Sequence, residues 1–231
     1  MEEINFFNKC FQKHNFGELN NLDVNILYKS ILFYKNKFQN IPETIFDVGC
    51  NAGSFIKVLK NFNITDNIHC FEPHPYLSEY TNNIYSFIKM NKICLTDNIG
   101  TVDITFPQWS VGLSSIINRP VFDKLKSEGQ QFKTINVNSD TIDNYCKSNN
   151  IENIDFIKID VEGAEKMVLD GAINMLKNNK IKMGIFEIGE TLTDAGTNEN
   201  EICNYLMEYN YIIEKNIVPN NYIFYLEKLF Y

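Results

Sequence analysis

A chain of 231 residues, 44% hydrophobic and 22% charged, suits one α/β domain with a modest extension and a sizeable core. Its net charge of −8, with Arg119 as the sole arginine, disfavours a nucleic-acid substrate, because phosphate-backbone binding depends on neutralisation by Lys and Arg. No apolar run approaches the roughly 20 residues that span a bilayer, the opening MEEINFFNKC lacks an export pattern, and the six cysteines (Cys10, Cys50, Cys70, Cys94, Cys146, Cys203) form no C-x-x-C pair, so a reduced, cytoplasmic protein without membrane insertion is expected.

In residues 1–40, Leu27, Ile31, Tyr34 and Phe38 recur at helical spacing and stop before Ile41-Pro42. This predicts an N-terminal helical extension of one or two helices that pack on the sheet or lid the pocket, followed by the main domain over residues 41–231. Thr44 to Val48 then reads as a short buried strand with Asp47 at its end. Gly49 and Gly53 flank a tight turn containing Cys50 and Asn51, and Phe55, Ile56 and Leu59 give the buried face of the next helix. The spacing G-x-x-x-G is neither the dinucleotide G-x-G-x-x-G nor a P-loop. A second strand, Ile68 to Phe71, ends in Glu72, about 20 residues after the glycine turn, where an acidic side chain is placed to accept hydrogen bonds from ribose hydroxyls. A nucleoside-type ligand without a demand for pyrophosphate follows from that pair of features.

A helix after Tyr76 leads to a third strand ending near Leu95, and residues 100–138 read as an insertion of short strands around Trp109, a sugar-stacking platform or, by preference, a buried hydrophobe. Asp140 and Asp143 open a short helix over roughly 141–148. The stretch Ile154 to Met175 is a buried strand, an acidic turn (Asp160 to Glu162) and a helix, and the carboxyl end of such a strand is where open α/β sheets place their chemistry. Period 2 puts Lys158 and Asp160 on one side of it. A neighbouring strand, Lys182 to Phe186, is ended by Glu187. A helix near Glu199 to Glu208 and a hairpin of Tyr211–Ile217 with Tyr222–Leu226 complete the chain.

DVGCNAG, then FEPHP, then IDFIKIDVEGAEKMVLDGA followed by IFEIGE, resembles the FkbM family of S-adenosylmethionine-dependent methyltransferases over about Ile45 to Glu190. The resemblance implies a Rossmann-like α/β fold with a mainly parallel, doubly wound, seven-stranded sheet and an antiparallel last strand. It implies S-adenosylmethionine as cofactor, held by the turn Asp47, Gly49, Cys50, Asn51 and Gly53, with Glu72 on the ribose. Asp97 or its neighbour would face the adenine, although an Asp-Asn surface turn fits the local chemistry equally. The implied acceptor is a hydroxyl of a sugar, glycan or glycosylated small molecule, with RNA 2′-O-methylation as runner-up, and an NAD-dependent oxidoreductase or a non-catalytic module as rivals from other classes. Among candidate catalytic residues, Asp160 comes first for accepting the hydroxyl proton, Glu187 second, with Lys158 beside them. The alternative is a divalent cation such as Mg²⁺ held by Asp160, Glu162 and Glu187. Glu162 and Glu165 are also read more plainly, as helix-start acids paired with Lys158 or Lys166.

Overall fold

Residues 21–64 and 66–227 are described by a computed structural model; the expected helical content of residues 1–20 lies outside them. The described chain opens with helix α1 (Asn21–Phe38), whose Ile26, Leu27, Ile31, Tyr34 and Phe38 are buried as one stripe at three- and four-residue spacing. That stripe packs on the sheet and does not reach the functional cavity, which settles the choice between packing and lidding for this helix. The Asp155 carboxylate fixes its position by accepting from the Tyr34 hydroxyl (3.1 Å) and from the backbone N–H groups of Glu43 and Thr44 (3.1 and 3.0 Å).

Seven strands form the central sheet: β1 (Ile45–Val48), β2 (Ile68–Phe71), β3 (Lys89–Asn91), β7 (Ile154–Ile159), β8 (Ile181–Glu187), β9 (Tyr211–Val218) and β10 (Asn221–Leu226). Their order is β3-β2-β1-β7-β8-β10-β9, and β10 alone runs antiparallel to its neighbours. The short strands β1 and β2 are buried at every residue, as expected where helices cover both faces of a parallel sheet. Phe46, Val48, Ile157 and Ile159 face one apolar layer, while Ile45, Phe156, Ile68 and Ile185 face the other, which includes α1 and α2 (Ser54–Asn61). The fold is therefore the expected Rossmann-like one with an antiparallel last strand.

Two departures from the sequence reading bear on the site. The third strand divides: β3 stays in the main sheet, whereas β4 (Cys94–Leu95) pairs with β6 (Phe132–Asp140), which also carries the antiparallel β5 (Gly100–Pro107). This small second sheet, with helix α4 (Pro120–Ser127) between its long strands, stands over the carboxyl ends of the main sheet. Secondly, the helix after β7 is broken into α6 (Glu165–Asp170) and α7 (Ile173–Lys177), because Gly171 lies against the Thr96 carbonyl and Asp143 caps α7 by accepting from Asn174 and Met175. Asp143 and Asp140 are thereby structural: Asp140 accepts from Thr141 N and the Asn144 side chain at the start of helix α5 (Ile142–Ser148).

Candidate active site

The chain leaves β1 toward β2 on one side and returns through β7 on the other, so the crevice between β1 and β7 is the topological switch point of the sheet. Asp47 and Lys158 are register partners there. The Lys158 ammonium lies 3.3 Å from Asp47 and 3.2 Å from Asp160, and donates to the Gly49 carbonyl at 3.0 Å. Burial works against the Lys158 charge, but Asp160 and Asp47 outweigh it and leave its pKa raised, so it is a fixed cation. Asp47 is fully buried, and burial raises its pKa against the pull of Lys158. One buried lysine thus ties the glycine turn to the end of β7.

Gly49 is required at this junction. Its φ is +75°, and a Cβ there would sit 1.9 Å from the Asp160 carbonyl oxygen, so only a bare α-carbon lets the two strand ends approach. Asn51 follows at φ 47°, and its N–H donates to Glu72 Oε2 at 3.0 Å, while His74 N–H donates to Oε1 at 2.9 Å. Each Glu72 oxygen retains further acceptor capacity. Burial pushes the Glu72 pKa up to about 7. Asn51 Oδ1 is buried with no hydrogen-bond partner, a polar atom left for a ligand to satisfy.

These groups open on a cavity of about 280 Å³ between the main sheet and the small one. Gly49, Asn51 and Glu72 line it at the ends of β1 and β2, Asp160, Glu162 and Glu187 at the ends of the adjoining strands β7 and β8, and the apolar walls include Leu77, Ile93, Leu95, Ile104, Val111 and Ile116. Among the described residues four carboxylates line it, and no lysine or arginine does. Burial first, then repulsion from Asp160, Glu162 and Glu165, raises the Glu187 pKa to about 8. Glu165, fully buried, folds the acidic turn: its Oε1 accepts from Val161 N (3.0 Å) and Gly163 N (3.4 Å), and burial lifts it to about 7. It does begin α6, but neither it nor Glu162 pairs with a lysine; Lys166 binds Asp170 instead, and Glu162 binds Arg119.

Of the residues expected from sequence at the cofactor, Gly49, Asn51 and Glu72 face the cavity. Asp47, Cys50 and Gly53 stand behind the turn: Cys50 is buried against Cys70, and Gly53 packs under Thr81 and Tyr85; Lys158, expected beside the catalytic carboxylates, also stands outside the cavity lining, bound to Asp47 and Asp160. Of the two readings of Asp97, the Asp-Asn surface turn holds and the place facing the adenine does not. The Thr96 side chain bonds both backbone groups of Asn98, which turns Asp97 outward, exposed in a separate depression with Thr141 and Asp143; Cys94 and Leu95 form the wall instead. Trp109 is 39% exposed and outside the cavity, neither buried nor placed to stack on a ligand there.

The divalent-cation alternative does not fit. Mg²⁺ holds its oxygens at about 2.1 Å, so ligand atoms lie within about 4.2 Å of one another. Among the described residues the carboxylates of Asp160, Glu162 and Glu187 do not converge to even 4.8 Å, and Glu162 is already bound by Arg119. The atoms that do converge, on Asp47, Cys50 and Cys70, are buried behind the turn, where Lys158 supplies the positive charge.

Sequence reasoning missed Arg119, Ser115 and the structural part of Glu165. Arg119 donates from Nη1 to Glu162 Oε2 (2.8 Å) and from Nε to Asp194 Oδ2 (3.2 Å), and the Ser115 hydroxyl donates to the Glu162 carbonyl (2.8 Å). The available signal was that this chain spends its single arginine in the insertion.

Comparison with known proteins agrees with this geometry. Among solved structures, the plantazolicin methyltransferase BpumL in complex with SAH superposes with a TM-score of 0.54 at 9% identity, covering 97% of this chain and 90% of that one. The plantazolicin methyltransferase BamL, in complex with a triazolic desmethylPZN analog and SAH, gives 0.51 at 11% identity over 95% and 74% of the two chains. At such identities the likeness is one of fold. In sequence, the chain is 26% identical over 147 residues to the 2-O-methyltransferase NoeI of Sinorhizobium fredii (strain NBRC 101917 / NGR234), and the match spans 59% of this chain and 60% of that protein. Residues 47–213, from the aspartate of the glycine turn into β9, match the model of the methyltransferase FkbM domain, and the chain belongs to that family.

Proposed function

We propose that the protein is an S-adenosylmethionine-dependent O-methyltransferase that methylates a hydroxyl of a sugar, glycan or glycosylated small molecule. The observation that carries it is the meeting, in one cavity, of the glycine turn and Glu72 (Gly49, Asn51, Glu72) with the acidic ends of β7 and β8 (Asp160, Glu187) at the switch point of the sheet. The acceptor class is supported by the relative named as a 2-O-methyltransferase, and by a lining that repels phosphates. On this reading residues 41–231 are the methyltransferase domain and residues 1–40 an extension whose described part is built into the same core. A reducing, cytoplasmic setting is supported by the buried free cysteines Cys50, Cys70, Cys94, Cys146 and Cys203.

S-adenosylmethionine supplies an electrophilic methyl carbon on a sulfonium, so the protein has to align a hydroxyl with it and take up a proton. Glu72 binds the ribose hydroxyls with its remaining acceptor sites. Asn51 offers its unpartnered Oδ1 to the same ligand. Asp160, held by Lys158 at the cavity rim, accepts the hydroxyl proton or orients the hydroxyl. Glu187, with its pKa at about 8, is mostly protonated at neutral pH and there donates a hydrogen bond to the acceptor, acting as a base only above that range. Lys158 fixes Asp160 and, through Asp47 and the Gly49 carbonyl, the cofactor turn.

The test is transfer of labelled methyl groups from S-adenosylmethionine to neutral methyl glycosides, alongside capped RNA, with calorimetric titration of S-adenosylhomocysteine (SAH) and NAD. SAH binding with labelled glycoside supports the proposal. NAD binding without SAH, or label in RNA alone, overturns it.

A further inference from the structure

The segment joining β5 to α4, residues 108–119, lies across the cavity, and Val111, Gly112, Ser114 and Ile116 form part of its wall. At one side this strap rests on the cofactor turn: a Cβ on Gly112 would come within 3.2 Å of Asn51 Nδ2. At the other it is fastened to the acidic turn by side chains. The Ser115 hydroxyl donates to the Glu162 carbonyl, and Arg119, its side chain only 11% exposed, reaches Glu162 on the turn after β7 and Asp194 on helix α8 (Glu190–Asp194). The guanidinium packs over Phe122, which orients its fork. Glu162 is held at φ 56°, a backbone state that a non-glycine residue adopts only where its surroundings impose it. Gly163 follows at φ +107°, close under the Thr191 carbonyl, with Ile117 of the strap next to it. A single arginine therefore joins three separate pieces of chain beside the acidic ends of β7 and β8.

Two consequences follow for the acceptor. Arg119 occupies the Glu162 carboxylate, so that Asp160 and Glu187 are left to handle the hydroxyl. The strap it fastens supplies Val111, Gly112, Ser114 and Ile116 to the wall of the same cavity.

We propose that Arg119 is a positioning residue for the methyl acceptor: by clasping Glu162 and Asp194 it sets the strap as the acceptor-side wall of the cavity and reserves Asp160 and Glu187 for the hydroxyl. This rests on the methyltransferase reading above. Arg119 touches neither ligand and acts through Glu162 and the strap.

The experiment compares the full-length wild type with Arg119→Gln, Arg119→Lys and Asp194→Asn. Hydrogen exchange of residues 110–119 is followed with SAH bound, SAH affinity is measured by calorimetry, and KM and kcat are measured with methyl glycosides of neutral hexoses. Removing a charge-assisted pair speeds strap exchange about tenfold in Arg119→Gln, and less in Asp194→Asn, which unfastens one side. Exchange in β7 stays unchanged. Acceptor KM rises about tenfold with a smaller change in kcat, SAH affinity stays within about threefold, and Arg119→Lys recovers part of the KM because it keeps the charge without the fork. Unchanged strap exchange in Arg119→Gln overturns the proposal, as does a loosened strap with unaltered KM. A wild type that binds no SAH refutes the methyltransferase reading instead. One that binds SAH yet methylates no glycoside refutes the sugar acceptor, and the exchange arm then decides the clasp.

Discussion

Replacing Lys158 by Met probes the junction on which the cofactor turn and the acidic turn both depend. Lys158 is 7% exposed, and it contacts Asp47 at 3.3 Å, Asp160 at 3.2 Å and the Gly49 carbonyl at 3.0 Å. Asp160 is 42% exposed and falls back on water when the lysine is lost, but Asp47, at 0%, has no such recourse. Breaking a buried pair so that one charge is orphaned costs about 3–5 kcal/mol. For a chain of this length, where 1 kcal/mol shifts Tm by about 2–4 °C, that is a loss of roughly 6–20 °C. The pH dependence identifies the cause. The Asp47 pKa in the fold already lies above its ordinary 3.8 because of burial, and without Lys158 to oppose burial it goes higher. The native state then binds more protons than the unfolded one, so stability falls as pH rises from 3.8 through the folded value. The stability gap between wild type and Lys158→Met is accordingly small near the low end and widens toward neutrality. Asp47→Asn/Lys158→Met, lacking the orphaned charge, recovers most of the loss. Calorimetric melts of the three proteins from about pH 4 to 8 check this. A gap that stays constant across that range, or a double variant no more stable than the single one, refutes the reasoning.

Gly49→Ala places a methyl 1.9 Å from the Asp160 oxygen at φ +75°, so SAH affinity falls by at least about tenfold in calorimetry, with β1 and β7 forced apart. Glu72→Gln turns an amide N–H₂ toward a backbone N–H donor, from Asn51 or His74, and weakens SAH binding about 10- to 100-fold, measured the same way. EDTA leaves turnover unchanged, because the acidic side chains of the cavity do not converge on a cation. If Glu187 takes the acceptor proton, kcat climbs through about pH 8, and Glu187→Gln removes that rise; if Asp160 does, Asp160→Asn loses about 10²–10⁴-fold and the wild-type profile shows no rise through pH 8.

The fold was legible because its signals are local. Fully buried four-residue strands, glycines at a strand-to-helix turn, and carboxylates at strand ends all lie within a few residues of one another. The site was legible only where strand ends define it, as at Gly49, Glu72, Asp160 and Glu187. Distinguishing Asn51, which faces the cavity, from Cys50, which faces Cys70, takes side-chain direction inside a left-handed turn, and no periodicity reports that. The two readings of Asp97 were separable only in three dimensions: the Thr96 hydroxyl donates to the Asn98 carbonyl and accepts from its N–H, which makes the surface turn and outweighs an expectation built on distance from the strand. The clasp of Arg119 joins residues 43 and 75 positions away. Sequence spacing carries no trace of such a contact.

The electrostatics of the cavity point to what must enter it. Glu72, Glu162, Glu165 and Glu187 all have raised pKa values, burial being the first cause in each, and Asp47 is raised behind them. Glu72, Glu162 and Glu187 face the cavity, and burial disfavours the charged form of each. A cationic ligand centre among these groups favours their charged forms, whereas an anion disfavours them. A sulfonium is cationic before methyl transfer and a neutral thioether after it, so the charge that favours the cofactor in this cavity vanishes as the product forms. The same carboxylates that favour binding of the methyl donor therefore hold the spent thioether less tightly.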